Sequence, residues 1–265
     1  MGNSSRIVHL ALKVADLERA TRFYEQVFGF RQTGTGHTRG HVSRHMTDGA
    51  FDLALMVYDG EDEPEAQLSG PGPCIHHFGI EVANRDAVAA NIVTHGGKII
   101  SDPNEGALKF RAPNGVVAEI TRPGRYRKAQ ISGARISGLA IAASDTAAAA
   151  DFYKTVFGFN EAASNATTRD LTDGSFRIRF LSSPREGRRR RESPEAISSR
   201  SGGAPRDEVA PMALRVRGES RHHHWTVEVA DAASVARAIE QHGGKSEGPN
   251  LYRTPDGSLL EITAG

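Results

Sequence analysis

An internal repeat constrains this chain more than any other feature. Phe23-Tyr-Glu-Gln-Val-Phe-Gly-Phe30 returns as Phe152-Tyr-Lys-Thr-Val-Phe-Gly-Phe159, identical at six of eight positions. Thr47-Asp-Gly49 returns as Thr172-Asp-Gly174, His95-Gly-Gly-Lys98 as His242-Gly-Gly-Lys245, and Glu119-Ile-Thr121 as Glu261-Ile-Thr263, all in the same order. A repeat of this length implies two copies of one domain, read as residues 1–124 and 133–265. The junction is Arg122-Pro-Gly-Arg-Tyr-Arg-Lys128, charged and with a turn-forming Pro-Gly pair, and 125–132 is taken as the linker. Each half repeats again within itself: His9-Leu-Ala-Leu-Lys-Val-Ala-Asp16 is echoed 68 residues later by His77-Phe-Gly-Ile-Glu-Val-Ala-Asn84.

Every unit opens with an alternating strand, passes into a helix and ends in strands joined by a tight turn. In the first unit a cap at Asp16, apolar residues Leu17, Ala20, Phe23, Val27 and Phe28 at helical spacing, and Gly29 as a stop predict one helix. Asp48-Gly49 between two apolar strands predicts a hairpin. Four βαβββ units therefore make the chain. The second half carries an insertion at about 182–221. It contains Arg188-Arg-Arg-Arg191 and a stretch rich in Ser, Gly and Pro, and it reads as a solvated loop.

Composition narrows the function classes. Thirty-three Lys and Arg against thirty-two Asp and Glu leave a net charge of +1, which is no footprint for nucleic acid or a membrane surface. No run of apolar residues is long enough for a spanning helix, and the start lacks the regions of a signal peptide. Arg6 stands where a myristoylation site needs Ser or Thr. A cytoplasmic protein is expected, with a small-molecule substrate and a homodimer as the candidate assembly. Cys74 is the sole cysteine, so any metal must be held by His, Asp or Glu.

Strand alternation selects the candidates. In the first strand Val8, Leu10, Leu12 and Val14 form the face under the helix, leaving His9, Ala11 and Lys13 opposite. Phe78, Ile80 and Val82 likewise leave His77 rather than His76 on the open face. Val116, Ala118 and Ile120 leave Glu119 there. His9, His77 and Glu119 thus converge, and two histidines with one carboxylate form a metal site with open positions. In the run His222-His-His224, neighbours point to alternate faces, so the three are not expected to chelate together.

With these residues in place, the chain resembles the vicinal oxygen chelate superfamily, which includes glyoxalase I, methylmalonyl-CoA epimerase, extradiol dioxygenases and bleomycin or fosfomycin resistance proteins. The resemblance rests on the strand-helix opening from His9 to Phe30, on His76-His-Phe-Gly-Ile-Glu-Val82 and on Ala112-Pro-Asn-Gly-Val-Val-Ala-Glu119. It implies an α+β fold of tandem domains, each of two βαβββ modules curled into a cupped, incomplete barrel. By position, His9, His77 and Glu119 match the family's metal ligands. One divalent ion per chain follows, with Fe(II) favoured and Zn, Mn, Ni or Co as alternatives.

Four-ligand relatives use equivalent positions of both modules. Matching the hairpins makes Leu53 the partner of Glu119, so a three-ligand site is expected. The same matching puts Gly138, Ile178, His224 and Glu261 in the second half, where only two ligand types remain. The family's extradiol acid/base His falls at Phe51, and residues 101–110 lack the family's His-Tyr pair. His45, Tyr58 and Arg111 are therefore the candidate catalytic residues. Dioxygenase-type chemistry on a substrate with vicinal oxygens is the leading expectation, glyoxalase-like or epimerase-like chemistry the alternative, and non-catalytic drug binding the third.

Overall fold

A computed structural model describes residues 5–38, 40–126, 133–183 and 220–265. Arg188–Arg191, most of the insertion, and linker residues 127–132 lie outside them. The first half contains β1 (Arg6–Lys13), α1 (Leu17–Phe28), β2 (Arg31–Thr38), β3 (His41–Thr47), β4 (Asp52–Tyr58), β5 (Cys74–Glu81), α2 (Arg85–Thr94), β6 (Lys98–Ile99), β7 (Ala107–Arg111) and β8 (Val117–Thr121). The second contains β9 (Arg135–Ala143), α3 (Thr146–Phe157), β10 (Asn160–Ser164), β11 (Thr168–Thr172), β12 (Arg177–Ser182), β13 (Ser220–Val229), α4 (Ala232–Gln241), β14 (Lys245–Gly248), β15 (Leu251–Arg253) and β16 (Leu259–Ala264).

The helix signals act as their chemistry requires. Asp16 accepts the Arg19 N–H at 2.9 Å, satisfying one of the free donors at the start of α1. Gly29 ends the helix at φ 71°, a left-handed turn that a side chain would strain. Asp145 and Gly158 do the same for α3. Between its caps α1 buries Ala20, Phe23, Tyr24, Val27 and Phe28 against the sheet.

Each half forms one eight-stranded sheet, ordered β2-β3-β4-β1-β5-β8-β7-β6 and β10-β11-β12-β9-β13-β16-β15-β14. The edge strands do not pair with each other, so each sheet stays an open cup. At its centre β1 runs antiparallel to β5, while β1–β4 and β5–β8 are parallel. The two modules of a cup are thus related by a pseudo-twofold axis between β1 and β5. The fold is α+β, as the resemblance implied.

Strict alternation fails at two bulges on this central pair. Register slips between Ile7 and His9, and opposite Ala11 and Leu12, leave Val8 on β1 and His76 on β5 as extra residues. Ile7 joins the hydrophobic core together with Leu10, Leu12 and Val14, where alternation expected Val8. The second domain repeats the device, with His223 as the extra residue on β13. His223 Nδ1 therefore lies 2.8 Å from His224 Nδ1, although neighbours on a regular strand point apart.

The domains meet through their helical faces and share one continuous core. α1 lies beside α4, and α2 beside α3. Phe51 stacks on Phe176 with centroids 5.2 Å apart. Two reciprocal bonds join hairpin turns to opposite first strands: Ile7 N–H donates to Asp173 Oδ2 (2.6 Å) and Ile136 N–H to Asp48 Oδ2 (2.8 Å). The symmetry breaks at the two helix tyrosines. Tyr24 Oη donates to Asp256 Oδ2 at 2.6 Å, whereas its counterpart Tyr153 has a buried hydroxyl with no partner among the described residues.

A buried hydrogen bond to a carboxylate stabilises by about 2 kcal/mol. Tyr24→Phe is expected to lower unfolding free energy in urea by about that much, and Tyr153→Phe to leave it unchanged or higher. Equal losses in the two variants would show that the asymmetry has no energetic weight.

Candidate metal centre

The ligand atoms of His9, His77 and Glu119 lie within 4.8 Å of one another, and all three residues are buried. β1 supplies His9, β5 His77 and β8 Glu119. Their convergence depends on Gly79, which pairs across the central strands with His9 and across the parallel pair with Glu119. A Cβ there would stand 2.9 Å from His9 Cβ and 3.1 Å from Glu119 Oε1. Only glycine leaves both side chains in place.

Hydrogen bonds fix how the imidazoles face. Asp52 Oδ2 takes the Nδ1 protons of His9 (2.7 Å) and His45 (2.9 Å), which leaves His9 Nε2 as a free lone pair. On the other side His76 Nε2 donates to the Glu65 carbonyl at 2.8 Å, so its Nδ1 accepts from His77 Nδ1 at 2.7 Å. His77 Nε2 is then also unprotonated and faces Glu119 Oε2 at 3.5 Å. Two acceptors at that separation suit a cation between them. Burial lowers His77 well below the ordinary imidazole range, keeping it neutral. Burial alone would raise Asp52, but the bonds from His45 and His9 outweigh it and bring it to about 2. Buried carboxylates with oriented imidazoles are the donor set of a divalent metal, and a carboxylate behind a ligating histidine is a common support for one. The residues present fit such an ion.

A cavity of about 260 Å³ opens beside these groups. His41, His45, Lys109, Arg125 and Tyr126 line its polar side, and Ala54 and Met56 its apolar side. Lys109 Nζ pairs with Glu65 Oε1 at 2.7 Å. Of the three expected catalytic residues, only His45 lines this cavity. Tyr58 Oη stands behind the ligands, 3.2 Å from His76 Nε2. Arg111 donates to the carbonyls of Gly115 and Leu68 outside the lining. Phe51, at the position matched to an extradiol histidine, belongs to the domain interface.

The fourth-ligand position shifts by one residue. Leu53 is fully buried in the hydrophobic core. The register Ala11↔Ala54 repeats Gly79↔Glu119 about the pseudo-twofold, so Ala54 is the counterpart of Glu119. The first module has one more residue between its turn glycine and this position, and matching turns alone misses it. In the second cup the same correction replaces Ile178, also core, with Arg179, which is held by Asp170. Gly138 there faces Thr226 across the strands. His224 Nε2 lies 3.4 Å from Glu261 Oε2 without a third ligand. Among the described residues, His9, His77 and Glu119 are the one such cluster.

A sequence model of the glyoxalase/bleomycin resistance protein/dioxygenase superfamily matches residues 6–120 and again 135–262. The chain belongs to this superfamily. It is 31% identical over 125 residues to virulence protein STM3117 of Salmonella typhimurium, a match covering 44% of this chain and 83% of the relative. A mutant 4-hydroxymandelate synthase from Streptomyces coelicolor is similar at TM-score 0.68 and 12% identity, over 100% of this chain and 93% of that one. A Mn(II)-bound glyoxalase from Novosphingobium aromaticivorans follows at 0.66 and 16%, over 100% and 83%. The 2,3-dioxygenase LapB from a Pseudomonas species gives 0.61 and 15%, over 98% and 92%. At such identities these superfamily structures share the fold.

His9→Ala and Glu119→Ala are expected to lose most bound metal, measured by elemental analysis after dialysis, while His224→Ala keeps it. Asp52→Asn is expected to weaken binding roughly 10-fold to 100-fold by releasing His9. Gly79→Ala is expected to act in the same direction by crowding two ligands. Full metal retention in both ligand variants would refute the site.

Proposed function

We propose that this superfamily member is a metal-dependent cytoplasmic enzyme that uses His9, His77 and Glu119 to hold one Fe(II) and performs dioxygenase-type chemistry on a small substrate with vicinal oxygens. The observation that carries this reading is Ala54 at the fourth-ligand position. A methyl group there supplies no donor, so three side chains bind and the rest of the sphere is left to exogenous oxygens. Bound there, the ion would supply Lewis acidity and, as iron, electrons to oxygen.

The chain's own residues account for substrate handling. Ala54 and Met56 offer the carbon skeleton an apolar wall, while Lys109 and Arg125 offer positive charge to ionised substrate oxygens. His45 is the proton-transfer group: its Nδ1 proton is held by Asp52, so Nε2 is available to take a proton from a substrate hydroxyl and return it. The cavity volume restricts the substrate to a compact ring or short chain.

The His45–Asp52 pair also favours a second reading, in which a base removes a proton from carbon and the reaction is that of a lyase or isomerase. Oxygen separates the two. Purified, iron-loaded protein is expected to turn over catechols or hydroxy-carbonyl compounds with oxygen uptake on an oxygen electrode, and to stop under anaerobic conditions. His45→Ala is expected to lower kcat by about 100-fold or more while metal content is kept. Ala54→Glu is expected to tighten metal binding and suppress oxygen uptake. Full turnover without oxygen, or with zinc in place of iron, would establish the lyase or isomerase reading. Retention of tight ligand binding with no turnover under any metal would establish a binding protein.

A further inference from the structure

We propose that Tyr126 is a positioning residue that holds Glu119 as a single-oxygen metal ligand, an inference that rests on the metal centre described above. Tyr126 comes from the stretch between the domains that reads as linker in the sequence. Its Oη donates to Glu119 Oε1 at 2.8 Å. The other oxygen, Oε2, is the one that faces His77 Nε2. The two oxygens therefore have separate tasks. A carboxylate has about four lone-pair sites and can swing between one-oxygen and two-oxygen binding; engaging Oε1 leaves an incoming cation one oxygen in one direction.

Contacts of the ring and of the preceding turn also place the tyrosine. Its ring stacks on His9 with centroids 4.3 Å apart and planes 10° apart. The Arg125 guanidinium carbon lies 5.5 Å from the ring centroid, and the preceding turn is pinned by Gly124 N–H donating to Glu81 Oε2. Removing the hydroxyl should leave the ring where it is.

The second cup has the opposite arrangement. There Thr226 Oγ1 donates to Glu261 Oε2 at 3.3 Å, the same oxygen that faces His224. The inward oxygen is engaged where the ligand set is incomplete, and the outward one where it is complete.

The test is a titration of metal-free wild type and Tyr126→Phe with Co(II), whose visible absorption reports coordination number, in competition with a chelator. Wild type is expected to bind. Tyr126→Phe is expected to bind about tenfold more weakly, with an altered Co(II) spectrum as Glu119 gains a second binding mode, while the metal-free melting temperature falls no further than that of Tyr24→Phe, which also loses one buried hydrogen bond to a carboxylate. Tyr126→Leu, which also removes the stack on His9, is expected to bind more weakly still. Identical affinity and spectrum in wild type and Tyr126→Phe would overturn this role and leave the metal centre standing. Weaker binding with an unchanged Co(II) spectrum would also overturn it, in favour of a structural role. Absence of Co(II) binding by wild type would overturn the metal centre itself.

Discussion

The approach of His9 to Gly79 across the central strands is the constraint on which the rest of the site depends. Two antiparallel strands meet there at the pseudo-twofold axis, and the parallel neighbour β8 brings Glu119 against the same glycine. There is room for one large side chain on that pair. In the first cup the histidine has it and the glycine yields; in the second, Gly138 yields to Thr226. A Cβ on Gly138 would meet Thr226 Oγ1 at 3.2 Å, so a histidine cannot simply be restored there. The second ligand set lacks a donor at Gly138, and a side chain added there would have to displace Thr226 by a few tenths of an ångström.

Around that approach the fold manages a buried electrostatic problem. Carboxylates removed from water are costly unless matched, and this cup buries Asp52 beside His9 and His45 and Glu119 beside His77. Asp52 is matched by two N–H donors. Glu119 faces an imidazole whose proton points the other way, toward His76. The relay through His76 to a backbone carbonyl depends on the β5 bulge, which sets two consecutive histidines side by side. The irregularity is thus part of how a neutral, correctly oriented His77 is produced.

Much of this was legible in the residues. The repeat announced four modules, and alternation over Leu10, Leu12, Phe78, Ile80, Ala118 and Ile120 put His9, His77 and Glu119 on one face because a two-residue period is robust within a single strand. It fails where the period is interrupted. One added residue after the first module's turn moved the fourth position from Leu53 to Ala54, and the bulges exchanged Val8 for Ile7 and brought His76 into the relay. Asp52 and Tyr126 were missed for a different reason. Asp52 acts through β3 and β1 at once, and Tyr126 reaches back from a segment with no periodicity to read, so no local pattern marks either.

The reciprocal bonds from Ile7 to Asp173 and from Ile136 to Asp48 give the second domain a part in positioning the first domain's candidate ligands. The strand that carries His9 begins at a turn belonging to the other half. In effect the molecule is a dimer whose two copies share one polypeptide. In a dimer of separate chains every substitution is made twice, and a cup cannot be given up without losing its twin. Covalent fusion removes that restriction: one copy can carry Gly138 where the other has His9, and Arg177 where the other has Asp52, each at the matching place in the register, while the turn carboxylates that clamp the pair remain on both sides.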